Sequence, residues 1–255
     1  MMRAIMRVIM NTPIDGMMRC SRYAFGPNRL HYCGPDRPFE LKDRIAEDGA
    51  DQGMREILQG FEAMYPYLLH IARANRIIDP LDPRVVEAYW VGNELLDRVS
   101  RSDFYWHLVD GLSLKKKFGK TFGMVESLLG QGAVPHHSFH VLDVWQRSGD
   151  VDRKKLFNDF DECRVSWGEV VRVTGPLVTV CTPRLVEVGE KIELGEPVER
   201  KLTRQLEAEY DIEQIAVGDM VSIHWGVICE TLSPKQVANL RKYTLRHLRL
   251  ANQSL

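Results

Sequence analysis

The hydrophobic period of this chain changes once, near Cys163, and that change limits the folds open to it. From Leu41 to about Arg153 apolar residues recur at three- and four-residue steps. Ile45, Met54, Ile57, Leu58, Phe61 and Met64 share one helix face. Pro66 interrupts that pattern and predicts a break near Tyr65. Asp82 and Pro83 read as the cap and first turn of a second helix running to about Val99, with Val86, Tyr89, Trp90, Asn93 and Leu96 on one face. Phe104, Tyr105 and Trp106 suggest a third helix and Phe122–Leu129 a fourth, before a turn over Gly130–Pro135. Beyond Cys163 the period is two. Val171–Val173, Leu177–Val180, Leu185–Val188, Ile192–Leu194 and Met220–Trp225 read as short strands, with turn residues at Gly175, Gly189 and Gly218. In the last of these Val221, Ile223 and Trp225 point one way, Ser222 and His224 the other. Ser233, Pro234 and Gln236 form a capping box for a closing helix with the stripe Val237, Leu240, Thr244 and Leu248. The charged stretch Glu196–Asp211 reads as a solvated hairpin extension or a short helix. The expectation is an α+β chain: a mainly α-helical domain over 1–158, then a small OB-like β-barrel with a C-terminal helix over 159–255.

With 255 residues, 44% apolar and 27% charged, the chain has enough material for a substantial core. A formal net charge of −1 gives no electrostatic reason to expect nucleic acid or an anionic membrane as partner. No apolar run approaches the ~20 residues that span a bilayer. Met1–Met10 lacks the apolar core and cleavage site of a signal peptide, and Met17 or Met18 would serve equally as a start. Five widely spaced cysteines suit a reducing cytoplasm better than a disulfide framework.

The strand half carries an ordered series of small motifs. Cys163 is followed by Gly168 and a hairpin about Gly175; then come Val217-Gly218-Asp219, a strand ending His224-Trp225-Gly226, and the helix opened by Ser233-Pro234. In order and spacing this third of the chain resembles the HypC/HupF family of hydrogenase maturation chaperones. The resemblance implies a carrier of an iron centre bearing cyanide and carbon monoxide. The cysteine would hold that iron jointly with a HypD-like scaffold protein, for delivery to the precursor of the [NiFe]-hydrogenase large subunit. Carried onto this sequence, it assigns the iron to Cys163, with His224 bonding a ligand or lowering the thiol pKa. Two features depart from the family pattern: Cys163 is internal rather than near a free N-terminus, and Trp167 stands where the family usually has proline.

A second set of candidates lies in the helical half. Cys20 and Cys33 flank a loop-like stretch rich in Gly, Pro and aromatic residues, and His136, His137 and His140 form a compact histidine group. Thiolate and imidazole together suit iron or zinc, provided folding brings the two groups together. The alternatives are two separate buried cysteines, or a disulfide between them, and a polar histidine turn. Cys181 and Cys229 read as core residues, and Glu94 is open to either a buried or a surface reading. Two functions follow. One is a maturation accessory that binds or delivers the iron unit. The other is a metal-dependent enzyme whose helical half makes or processes a diatomic ligand for the fused barrel.

Overall fold

The computed structural model describes residues 15–47, 49–145, 153–203 and 215–253, with side chains omitted at 153–156. Met1–Met10, and the part of Glu196–Asp211 beyond Thr203, lie outside the described residues. The helical half comprises α1 (Gly16–Arg29), α2 (Pro38–Ala46), α3 (Gln52–Gln59), α4 (Met64–Ala74), α5 (Pro83–Trp90), α6 (Arg101–Trp106), α7 (Leu114–Phe118), α8 (Phe122–Leu129), α9 (His137–Phe139) and α10 (Arg153–Cys163). Two of these run on into π-helical turns: α6 into His107–Gly111 and α9 into His140–Val144. Side-chain caps start most of the longer helices. Asp15 accepts from Met17 and Met18, Asp51 from Met54, and Asp82 from Arg84.

Two helix expectations need correcting. The stretch 41–74 is three helices, not one broken at Tyr65, and Pro66 sits in the first turn of α4, where its missing N–H costs nothing. The helix from Pro83 ends at Trp90, because Gly92 adopts φ +95°, and Glu94–Arg98 continues as a 3₁₀ turn.

The sheet has β1 (Ser166–Thr174), β2 (Leu177–Val188), β3 (Lys191–Thr203), β4 (Met220–His224) and β5 (Val227–Thr231), followed by α11 (Pro234–Ala251). The separate strands expected around Leu185 and Ile192 belong to one long β2–β3 hairpin, whose register shifts between Pro183 and Leu185. Strand order is β1-β2-β3-β5-β4, and β4 pairs back onto β1 through Ser166 with Ile223. The β3–β5 seam is a single parallel bridge, Thr203 with Val227, so the sheet is strongly curled and weakest there. Val170, Val178, Val180, Leu202, Ile215, Val221, Ile223 and Ile228 fill its concave side.

The outer side of the sheet is covered by helices. Tyr23, Trp90, Trp167, Val227, Cys229, Leu240 and Tyr243 belong to one apolar cluster that includes most of the helical core. The described parts of 1–158 and 159–255 therefore share a core, and the expected boundary at 158/159 falls inside α10. The capping box at Ser233 forms as expected, and Leu240, Thr244 and Leu248 are buried. Tyr243 and His247 join that buried face, which the apolar stripe alone did not mark.

Candidate metal centre

Helix α1 holds the key to the seam between the two halves. Its residue Pro27 has no N–H, so the carbonyl of Tyr23, four residues earlier, lacks its usual helical partner. His224, at the end of β4, fills the gap: its Nδ1–H donates to the Tyr23 carbonyl at 2.7 Å. That bond fixes the tautomer and leaves the lone pair on Nε2, a buried atom with no hydrogen-bond partner. The approach is close because residue 26 is glycine. A Cβ there would stand 2.7 Å from the His224 carbonyl oxygen. The turn after His224 is equally constrained, since Trp225 and Gly226 take φ +50° and +70° in a two-residue hairpin. A bulky residue in that region is strained, and strain of this kind gathers at functional sites.

Helix α10 supplies the thiol. Its C-terminal turn is anchored to β2 and β3: Asp161 meets Arg164, Arg184 and the Leu185 N–H, and Glu162 meets Arg200 at 2.8 Å. The Glu162 carbonyl also accepts from the Trp225 N–H at 2.9 Å. Cys163 ends the helix, so its carbonyl is free of helical bonding, and His137 Nε2–H donates to it at 2.8 Å. A carbonyl only accepts, so the lone pair of His137 is on Nδ1, where the Tyr89 hydroxyl donates at 3.2 Å.

The outcome is convergence. One ligand atom each of His137, Cys163 and His224 lie within 4.8 Å of one another. Trp90 packs against both imidazoles, with ring centroids 4.5 Å from His137 and 5.3 Å from His224. Trp225 lies beside the thiol and carries the ring of Tyr32 at 4.2 Å, while the Tyr32 hydroxyl reaches Asp159 at 3.3 Å.

Burial governs the charge states here. It pushes His224 down to about 4, against the pull of the Tyr23 carbonyl. It also drives His137 well below the ordinary range, helped by neighbouring His224. The Cys163 thiol is raised, first by burial and then by Cys33 nearby, with Trp225 acting in the opposite sense. At neutral pH the group is thus two neutral imidazoles and a protonated thiol. A divalent ion held by these residues would reverse the thiol's preference, because its charge would stabilise the thiolate that burial opposes. Two nitrogens and one sulfur match zinc or iron and leave a coordination position open. The Tyr23 carbonyl on Nδ1 of His224 is the kind of outer-shell partner that orients a histidine ligand.

The five residues expected to form a mixed site in the helical half do not converge. Among the described residues no trio of donor atoms within 4.8 Å includes Cys20, Cys33, His136 or His140. Cys20 faces inward from α1 with its thiol 3.4 Å from Met64 Sδ, and burial raises its pKa to about 12. Cys33 stands in the loop after α1, its thiol pushed up to about 11 by burial, and both cysteines are free. His136 is committed to capping α9, bonding Ser138 at 2.8 Å and stacking on Tyr243. His140 turns the other way, edge-on to Tyr67. Only His137 of that set reaches the group that Cys163 and His224 form, because residues three apart on this short helix open onto different neighbours. Cys229 is buried and Cys181 half-buried, and Glu94 is exposed.

In the sequence Tyr89 reads only as a helix-face residue, and Tyr23 and Pro27 belong to the stretch that reads as loop-like, most of which is helix α1. Pro27 inside a helix was the one available signal, since it marks a freed carbonyl four residues back.

The chain is thus mixed α+β, with two histidines and one cysteine converging at the seam between its halves. Residues 12–255 match the model of a family of unknown function, DUF6390, and the chain belongs to that family. No curated protein and no solved structure matches it. No helix among the described residues is long and apolar enough to cross a membrane.

Proposed function

We propose that this chain is a metal-handling accessory protein of the hydrogenase maturation kind, which takes the iron unit with its cyanide and carbon monoxide ligands, or a precursor of it, as cargo. The observation that supports this reading is the convergence of His137, Cys163 and His224. The HypC/HupF resemblance assigns the iron to Cys163 and sets His224 beside it, to bond a ligand or lower the thiol pKa, and the two come from distant parts of the strand half. We read the curled sheet as the small OB-like barrel of that family. In this reading the helical half takes the place of part of the scaffold partner. It contributes His137 as a third donor and roofs the thiol with Tyr32, so the cargo is held within one chain before transfer to the large-subunit precursor.

Infrared spectroscopy tests the proposal. The protein purified anaerobically from cells with an intact maturation system should carry bands of metal-bound cyanide and carbon monoxide, and Cys163→Ala and His224→Asn should each remove them. Full-strength bands in both variants, or none in the wild type, would sink it.

A further inference from the structure

A second polar group lies within the helical half, apart from the seam. Tyr67 and His70 stand three apart on α4 and so share a face. His107 opens the π-helical turn after α6, and His140 opens the one after α9. Their rings are in contact: Tyr67 meets His107 at 4.7 Å and His140 at 5.6 Å between centroids, and His70 stacks on His107 at 4.5 Å. Gly111 makes room for the first turn, since a Cβ there would meet His107 Nδ1 at 2.7 Å.

Three features of this group bear on a bound ligand. The Tyr67 hydroxyl, His70 Nε2, His107 Nε2 and His140 Nδ1 are all buried with no hydrogen-bond partner. A fold that carries such atoms normally gives each a partner, and four together call for a common one. Second, π-helical turns are rare and recur at functional sites, yet two occur here, each beginning with a histidine of the group. Third, burial keeps the imidazoles neutral, with lone pairs available at neutral pH.

We propose that Tyr67, His107 and His140 form a second binding site for a first-row metal ion, with Tyr67 as the oxygen donor and His70 stacked behind His107. In this proposal the ion draws the three rings together about the two π turns. Tyr67 ionises only when the ion is present, because burial, with buried Asp143 adding to it, otherwise raises its pKa. Tyr67 and Tyr89 lie side by side with centroids 5.3 Å apart, and Tyr89 bonds His137, so one phenol, that of Tyr89, stands between the two sites.

The site is independent of the seam, and the test separates them. Cobalt(II) is titrated into the metal-free full chain and into Tyr67→Phe, His107→Asn and Cys163→Ser, with metal counted after gel filtration. Two ions per chain are expected in the wild type and one in each variant. Tyr67→Phe and His107→Asn should keep the cobalt–thiolate absorption that Cys163→Ser loses. Ferrous protein oxidised with ferricyanide should show a visible iron–tyrosinate band, absent in Tyr67→Phe. Metal-free Tyr67→Phe should melt no lower than the wild type, because its hydroxyl has no partner to lose. Two ions in both helical-half variants, a single wild-type ion that only Cys163→Ser removes, or no bound ion would each overturn the proposal. One wild-type ion lost in Tyr67→Phe and kept in Cys163→Ser would uphold it while removing the seam reading.

Discussion

The two histidine groups of this molecule are built on opposite plans. At the seam each imidazole has one nitrogen bonded to a main-chain carbonyl, Tyr23 for His224 and Cys163 for His137, and both carbonyls are available because helical bonding cannot reach them. In the helical half His70, His107 and His140 are positioned by ring stacking and edge contacts, and each has a buried nitrogen without a partner. The first plan fixes tautomer and direction before any ion arrives. The second fixes position only. Pre-orientation by backbone is the stiffer arrangement, since moving the ligand there means moving a helix or a hairpin.

Acid is the most severe test of both groups together. Seven histidines have pKa values below the ordinary range: about 4 for His70, His140 and His224, about 3 for His107 and His136, and lower in direction for His137 and His247. A base whose folded pKa is depressed contributes stability that is full above its unfolded value near 6.5 and lost as pH falls towards the folded value. Each buried neutral histidine then subtracts about 1.4 kcal/mol per pH unit below that point. Several acting together exceed a typical stability of ~5–15 kcal/mol within about two units. We expect cooperative unfolding between about pH 6 and 4, followed by circular dichroism. A fold intact at pH 3.5 would mean that these rings are hydrated rather than buried. The metal-free seam variant His224→Phe should shift the midpoint to lower pH, by removing one group that must charge.

A backbone clash distinguishes the groups next. Gly26→Ala places a methyl against the His224 carbonyl and the Trp225 Cβ, pushing α1 away from the β4–β5 turn. We expect a loss of about 1–3 kcal/mol in denaturant unfolding. Cobalt binding at the seam should weaken, and binding in the helical half should stay as it was. Equal weakening at both would show that the two groups respond as one.

The smallest effect is also the most specific. The Tyr89 hydroxyl occupies the lone pair of His137 that an ion needs. Tyr89→Phe should destabilise the metal-free protein by about 1 kcal/mol while leaving seam affinity equal or higher, read from melting and from cobalt titration. Weaker binding would mean that Tyr89 orients His137 for the ion rather than competing with it.

Local patterns in the chain were enough to establish the two kinds of structure, the change between them near Cys163, and the caps at Asp82 and Ser233. These depend on neighbours a few residues apart, where periodicity and capping chemistry act directly. The pairing of Cys163 with His224 was also legible, through motif order. Which histidine completes that group was not, because His136, His137 and His140 are alike in sequence and differ only in what the packed helices set before them. Nor did the spacing show that Cys20 and Cys33 stay apart from that histidine group, or that the sheet and helices share a core. Those outcomes are set by packing between distant parts of the chain, as where α1 meets the β4–β5 turn. Residues some two hundred positions apart make that contact together, Gly26 by being small, Pro27 by lacking a proton and His224 by supplying one.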